Sequence, residues 1–301
     1  MTAAPGRLEE VAEHVHAYIQ PDGGWCLNNA GVIAAGGESA LVDTAATERR
    51  ARALRAAALS VTPAAPRVVV NTHSHGDHTF GNFVFPEAVV VGHSGTRREI
   101  ERDGLHLTGL WPEVCWGDIA VTPPTVTYED RLTLHIGTVR AELMNMGAAH
   151  TVNDTVVWLP EQRVLFTGDL VMSGVTPFFP MGSLEGSLAA VRTLRALGAR
   201  TIVAGHGPVG GPEILDDAEK YLLWVRSLAE AGIAAGCTPL ETARESGYGQ
   251  WDRLLDPERL VPNLHRAYAE LQGAAPGAPV DMGALFQEMV DFRGGLPSCH
   301  A

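Results

Sequence analysis

Three imidazoles and a carboxylate fall within the six residues His73-Ser74-His75-Gly76-Asp77-His78. Neutral imidazoles suit zinc and iron, and a carboxylate adds charge neutralisation. His73 and His75, two apart on an extended segment, face the same way. Gly76 lets the chain turn, so Asp77 and His78 are aimed at a second point. Three further candidates follow apolar runs: His150 after Leu143 to Ala149, Asp169 after Arg163 to Gly168, and His206 after Thr201 to Gly205. A polar loop that is merely rich in histidine would not be matched by three later strand ends.

The elements that must position these groups read as strands and the loops leaving them. Arg67 to Val70 is β-branched and apolar, a buried strand that delivers the histidine cluster from its end. Upstream, Val11 to Ile19 and Cys26 to Ala35 read as strands, and Ser39 to Val42 joins the second through a hairpin at Gly36-Gly37. Asp43 has two readings: a carboxylate that orients a histidine of the cluster, or a charge at the start of the helix Ala45 to Leu59. Thr79 to Phe83 reads as a short helix on which Phe80 packs, Ala88 to Val91 as a strand, and Gly95 to Arg102 as a helix beside a structural His93. Leu132 to Ile136, Val139 to Met146, Asp154 to Leu159 and Arg163 to Thr167 form a second run of strands. Leu184 to Leu197 is an amphipathic helix leading to the strand before His206.

Two segments are apolar without a clear period. Gly104 to Tyr128 carries Trp111 and Trp116, and Leu170 to Pro180 carries Phe178 and Phe179. Irregular apolar segments beside a polar cluster read as walls of a pocket, so these four aromatics are the substrate-binding candidates. After His206 the chain reads as helical: Pro212 to Ala235, Pro239 to Ser246, Pro257 to Leu271 and Met282 to Phe292, with prolines well placed at the starts. Pro262 predicts a kink or a late start in the third. The expected division is a metal-binding domain over 1–211 and a helical extension over 212–301, which could bind substrate, cover a sheet or make a homo-oligomer.

The motifs His-x-His-x-Asp-His, Ala149-His150-Thr151, Thr167-Gly168-Asp169 and Gly205-His206-Gly207, in that order, resemble the ligand set of the metallo-β-lactamase superfamily. The resemblance implies an α/β (α+β) fold, an αββα sandwich with a two-metal site between its sheets. Carried over residue by residue, His73, His75 and His150 bind one metal. Asp77, His78 and His206 bind the other, and Asp169 bridges them. Two Zn2+ are the implied cofactors, with iron or manganese accepted by the same donors. Asp77 and Asp169 are the candidate catalytic carboxylates. No cysteine stands at a ligand position, and His75 is not replaced by Glu, which disfavours redox chemistry.

The segments Gly23-Gly24-Trp25-Cys26, Leu107 to Pro112, Val171 to Phe178, Asn263 to Tyr268 and Gly294 to Cys299 resemble a narrower group, the second-ring aromatic polyketide cyclase/thioesterases of type II polyketide synthases. That resemblance implies aldol closure and dehydration of a polyketide held on an acyl carrier protein, and then release of the thioester. A general cytosolic thioester or lactone hydrolase is the alternative. Arg97, Arg98 and Arg102, or Arg49, Arg50, Arg52 and Arg55, are the candidate contacts for the acidic carrier.

The chain has 301 residues, 46% hydrophobic and 19% charged, enough to bury a sizeable core. Its net charge of -13 repels phosphate backbones and argues against a nucleic-acid partner. Cys26, Cys115, Cys237 and Cys299 have no paired spacing and are expected as free thiols in a reducing compartment. The first twenty residues lack a basic start and an apolar core. With no membrane-length apolar run either, the expected location is cytoplasmic.

Overall fold

The computed structural model describes residues 5–301. Strands β1 (Arg7–Ala12) and β2 (Val15–Ile19) form an antiparallel hairpin. The sequence reading runs Val11 to Ile19 as one strand; His14 breaks it, holding a left-handed φ of 69° in the turn. β3 (Ala30–Ala35) and β4 (Glu38–Val42) pair across Gly36 and Gly37, whose φ values of 60° and 81° give the turn that matches strand twist. β3 starts four residues later than Cys26, because the preceding segment is drawn into the site described below. Helix α1 (Glu48–Val61) is capped by the Thr47 side chain. There follow β5 (Val68–Val70), α2 (Gly76–Thr79) with a 3-10 turn at Phe80–Val84, β6 (Val89–His93), α3 (Ser94–Asp103), a second such turn at His106–Gly109, and β7 (Val126–Tyr128). His93 caps α3, its Nδ1 accepting from Gly95 N at 3.0 Å.

The second half contributes β8 (Arg131–Ile136), β9 (Val139–Gly147), β10 (Asp154–Leu159), β11 (Val164–Met172), α4 (Leu184–Ala196) and β12 (Thr201–His206). Four helices end the chain: α5 (Glu213–Ala235), α6 (Pro239–Glu245), α7 (Leu260–Leu271) and α8 (Met282–Arg293). Pro262 marks a late start: it lies in the first turn of α7, where its missing N–H breaks no helical bond.

One sheet has seven strands in the order β1 to β7; the other has five, ordered β12-β11-β10-β9-β8. Period-two alternation assembles the layers. Val42, Val70, Phe166 and Val203 point into the core between the sheets. Their neighbours Leu41 and Val69 face outward against α1, and Leu165 and Ile202 face outward against α4, α5 and α7. The result is a four-layer αββα fold, with the last helices sharing one apolar cluster with the five-stranded sheet. Among the described residues no helix is long and apolar enough to cross a membrane.

β4, β5 and β6 run parallel, as do β11 and β12, so their carboxyl ends gather at one edge of the sandwich. Cross-sheet hydrogen bonds fix that edge. Thr155 N donates to Thr72 O at 2.8 Å, and the Asn29 amide donates to Ala204 O at 2.9 Å and Gly207 O at 2.7 Å.

Candidate metal centre and its pocket

The loop after β5, the loop before β10, the distal half of β11 and the end of β12 bring seven side chains together. They form two groups, His73, His75, His150 and Asp169, and Asp77, His78 and His206, with donor atoms in each within 4.8 Å of one another. Asp169 lies between the groups. Its Oδ1 is 3.0 Å from His78 Nε2, and its Oδ2 is 3.5 Å from both His150 Nε2 and His206 Nε2. Asp77 Oδ2 is 3.2 Å from His206 Nε2.

Four of the five imidazoles are held through the ring nitrogen that faces away from the centre. His78 Nδ1 meets Asp43 Oδ2 at 2.8 Å, and His206 Nδ1 meets Gly23 O at 2.9 Å. His73 Nδ1 meets Thr72 Oγ1 at 3.0 Å, and His150 Nδ1 meets Phe178 O. Donation at Nδ1 leaves Nε2 with a free lone pair directed inward, the tautomer that a metal requires. His75 differs: its Nδ1 faces His150 Nε2 at 2.9 Å. Asp43 therefore serves the site, orienting His78, and Thr47 rather than Asp43 caps α1.

The donor set fits a pair of metal ions on two counts. His73 Nε2 is buried without any hydrogen-bond partner, and His78 Nε2 and Asp169 Oδ1, 3.0 Å apart, meet nothing but each other, an arrangement that costs free energy unless a cation sits among them. Five imidazoles and two carboxylates are also the donors that zinc prefers. Without metal the charges settle among themselves. Burial lowers His75 to about 3, and burial with the neighbouring His78 holds His73 well below its usual value. Burial works against the charged form of His206 too, but Asp169 and Asp77 outweigh it and push that imidazole up to about 9. For Asp77 burial is outweighed by His78 and His206, which hold the carboxyl at about 2.

A cavity of about 300 Å³ opens onto the centre. His75, Asp77, His150, Asp169 and His206 form its polar end, and Trp25, Leu110, Trp111, Met172, Phe178 and Phe286 wall the rest. Trp25 is fixed from two sides. Its Nε1 donates to Glu258 Oε1 at 2.9 Å, and the Arg259 guanidinium lies 4.0 Å over its ring. Phe178 meets Trp25 edge-on at 5.2 Å.

Of the four aromatics expected to wall the pocket, Trp111 and Phe178 do so. Trp116 does not. It packs edge-on against Phe80 at 6.2 Å, and its Nε1 donates to Trp111 O. Phe179 does not line this cavity either. Successive side chains of an extended segment point to opposite sides, so Phe178 meets the cavity and Phe179 enters the core under α4 and α5. Trp25, Met172, Arg259 and Phe286 are the pocket residues that periodicity does not reveal. Trp25 had a sequence signal, the Gly23-Gly24-Trp25-Cys26 segment. Met172 lies in the Leu170 to Pro180 segment expected to wall the pocket, whereas Arg259 and Phe286 read as helix interior.

The model of the metallo-beta-lactamase superfamily matches residues 23–206. Among curated proteins, a hydroxyacylglutathione hydrolase of Rhodospirillum rubrum is 30% identical over 142 residues, 46% of this chain and 47% of that protein. A metallo-beta-lactamase type 2 of Bacteroides fragilis is 26% identical over 104 residues, 33% of this chain and 42% of that one. The chain thus spans about half the length of the curated relatives it matches. Among solved structures, a metallo-beta-lactamase from Pontibacter korlensis superposes with a TM-score of 0.62 at 21% identity, covering 72% of this chain and 99% of that one, a likeness of fold. The family match begins at Gly23, whose carbonyl holds His206, and ends on His206 itself, so it encloses the whole cluster; this chain belongs to the metallo-beta-lactamase superfamily.

Proposed function

We propose that the protein is a metal-dependent hydrolase of acyl thioesters that acts on an aromatic polyketide bound to an acyl carrier protein, closing a later ring by aldol condensation and releasing the product. The observation that carries this reading is the cavity: an aromatic-walled, mostly apolar space of about 300 Å³ ending at the seven ligand-type side chains. It sits at the lower end of the ~300–1,000 Å³ typical of small-molecule sites. His73, His75 and His150 would hold one metal and Asp77, His78 and His206 the other, with Asp169 shared. When bound, the metals supply Lewis-acid polarisation of a carbonyl and a lowered pKa for water.

The chain's own residues do the rest. Trp25, Trp111 and Phe178 offer flat faces to a half-aromatic chain and exclude water from the carbons that must join. Asp169 is the proton acceptor in this scheme. Burial would raise its pKa, but the His206 and His78 imidazoles outweigh that and hold it well below the carboxylate range. It stays ionised at neutral pH and is a weak base, suited to the acidic C–H between two carbonyls. Arg259 is the one guanidinium among the residues lining the cavity.

The carrier protein belongs to the same proposal. Arg50 is withdrawn from it, being 4% exposed and hydrogen-bonded to Gln20 and to the His300 carbonyl. Arg52, Arg55, Arg97 and Arg102 are paired with Glu48, Glu87, Glu101 and Asp103. Arg98 on α3 and Arg49 on α1, both exposed and outside these ion pairs, are the positions left, and Arg98 is the one to reverse first. Arg98→Glu should slow a carrier-bound substrate and spare a free thioester; equal effects on both would remove α3 as the docking face.

The second reading is a general thioester hydrolase, favoured by the hydroxyacylglutathione hydrolases among the relatives. One experiment separates the two. Zinc-loaded protein is given a bicyclic polyketide thioester and, separately, a small polar acyl thioester, with and without chelator, and products are identified by mass. Metal-dependent loss of water and release of thiol from the first supports the cyclase/thioesterase. Fast cleavage of the second, with the first left intact, supports the general hydrolase and overturns the proposal.

A further inference from the structure

The pocket wall and the end of the chain meet at two thiols. Cys26 lines the cavity and is 2% exposed. Cys299 packs into the same small apolar cluster, with Ala46 and Trp111. Cys26 belongs to the buried core of that cluster, and Cys299 is the partly exposed thiol packed against it. The tail is anchored on both sides of Cys299: Trp111 Nε1 donates to Pro297 O at 2.7 Å, and Arg50 donates to His300 O at 2.8 Å. Arg293 reaches Ser298 Oγ at 3.0 Å. Cys26 itself holds a φ of 62°, a left-handed backbone that a side chain disfavours and that persists where the surroundings impose it.

We propose that Cys26 and Cys299 are a peroxide-responsive pair whose disulfide ties the C-terminal tail to the wall of the pocket. Cys299 is the attacking thiol, because it is partly open to solvent and so to peroxide, whereas Cys26 is buried. Its thiolate takes one oxygen of hydrogen peroxide, the O–O bond breaks, and hydroxide leaves. The Cys26 sulfur then attacks the sulfenic acid and its thiol proton passes to the departing hydroxide, so the S–S bond forms as the S–O bond breaks and water leaves. In sum, two thiols and one peroxide give one disulfide and two waters. The consequence falls on α8, which leads into the tail: its Met282, Phe286 and Met289 line the cavity, and Phe286 packs edge-on on Trp111 at 5.7 Å. A tail bonded to Cys26 holds that helix over the site.

The test uses the full, zinc-loaded protein treated with dilute hydrogen peroxide, alkylated, digested and mapped by mass. The expected result is one crosslinked peptide joining Cys26 to Cys299, with Cys115 and Cys237 alkylated, all reversed by dithiothreitol. Hydrogen exchange of the amides after α8 should slow several-fold in the oxidised protein. Cys299→Ser should form no crosslink to Cys26. The double variant Cys115→Ser/Cys237→Ser should retain the crosslink. The proposal is overturned if the crosslink is absent from the folded protein, if it forms only after unfolding in urea, or if peroxide instead joins chains through the exposed Cys115. Because the readout is peptide mass, the outcome is independent of which substrate the enzyme accepts.

Discussion

Replacing Asp43 with asparagine should remove one metal before the other. The Asp43 carboxylate is 2% exposed and accepts three hydrogen bonds: from Thr72 N at 2.8 Å, Thr72 Oγ1 at 2.7 Å and His78 Nδ1 at 2.8 Å. Asparagine keeps the shape but offers one acceptor oxygen and an NH2 group. If that oxygen faces His78, the NH2 confronts the Thr72 N–H. If the NH2 faces His78, the ring must move its proton to Nε2, the nitrogen needed for metal. A hydrogen bond to a charged group contributes about 1.5–3 kcal/mol. At about 1.4 kcal/mol per decade, the affinity at the Asp77–His78–His206 position should fall about 10- to 100-fold. The His73–His75–His150 position should change far less, its nearest hold on this network being the single Thr72–His73 contact. The assay is zinc titration against a chromophoric chelator, resolving two affinities, with NMR of the imidazole nitrogens reporting the His78 tautomer. Two affinities within twofold of the parent protein, or equal losses at both positions, would refute the reasoning.

Metal-free protein should be most stable near pH 6.5, the ordinary histidine value. His206, pushed up to about 9 chiefly by Asp169 and Asp77 against its burial, stabilises fully below pH 6.5 and loses that contribution as pH rises towards 9. His75, lowered by burial to about 3, stays neutral in the fold while the unfolded chain takes up a proton, so stability falls as pH drops from about 6.5 to 3. Thermal melts across this range should show the alkaline limb with chelator and lose it with zinc, which occupies the His206 lone pair; an identical limb in both would be contrary evidence. Gly205→Ala places a Cβ 2.0 Å from Asp169 Oδ1 and 2.6 Å from the Gly168 carbonyl carbon, so zinc per chain should drop below two even where the variant folds. Elemental analysis checks this. Arg259→Leu leaves Asp256, 2.9 Å from the guanidinium and largely buried, without its cation. Denaturant unfolding should show a loss of about 3–5 kcal/mol, and a loss under 1 kcal/mol would mean the pair is not coupled.

Much of the centre is legible along the chain. Each of its side chains follows a β-branched or apolar run, and an imidazole or carboxylate at a buried strand end has no use as packing. The order of layers is legible for a related reason: period-two alternation tells Val69 from Val70 and Leu165 from Phe166 without reference to partners. The first hairpin is not legible. His14 carries no turn signature, and its left-handed backbone is imposed by the pairing of β1 with β2.

By itself, the sequence determined which atoms could hold metal and the strands that deliver them, because ligand chemistry and strand periodicity are both local properties. Only the tertiary structure decided which of the apolar candidates wall the pocket. Trp25, Trp111, Phe178 and Phe286 come from four distant segments, and each is apolar in a way that serves a core equally well. Which faces the cavity depends on the side of the chain each occupies: Phe178 is in the wall and Phe179 in the core, although they are the same residue type side by side. The roles of Asp43 and Arg259 were decided in the same way. A buried charge takes its meaning from what lies opposite it, His78 for the one and Trp25 with Asp256 for the other, and those partners meet only when the chain has folded.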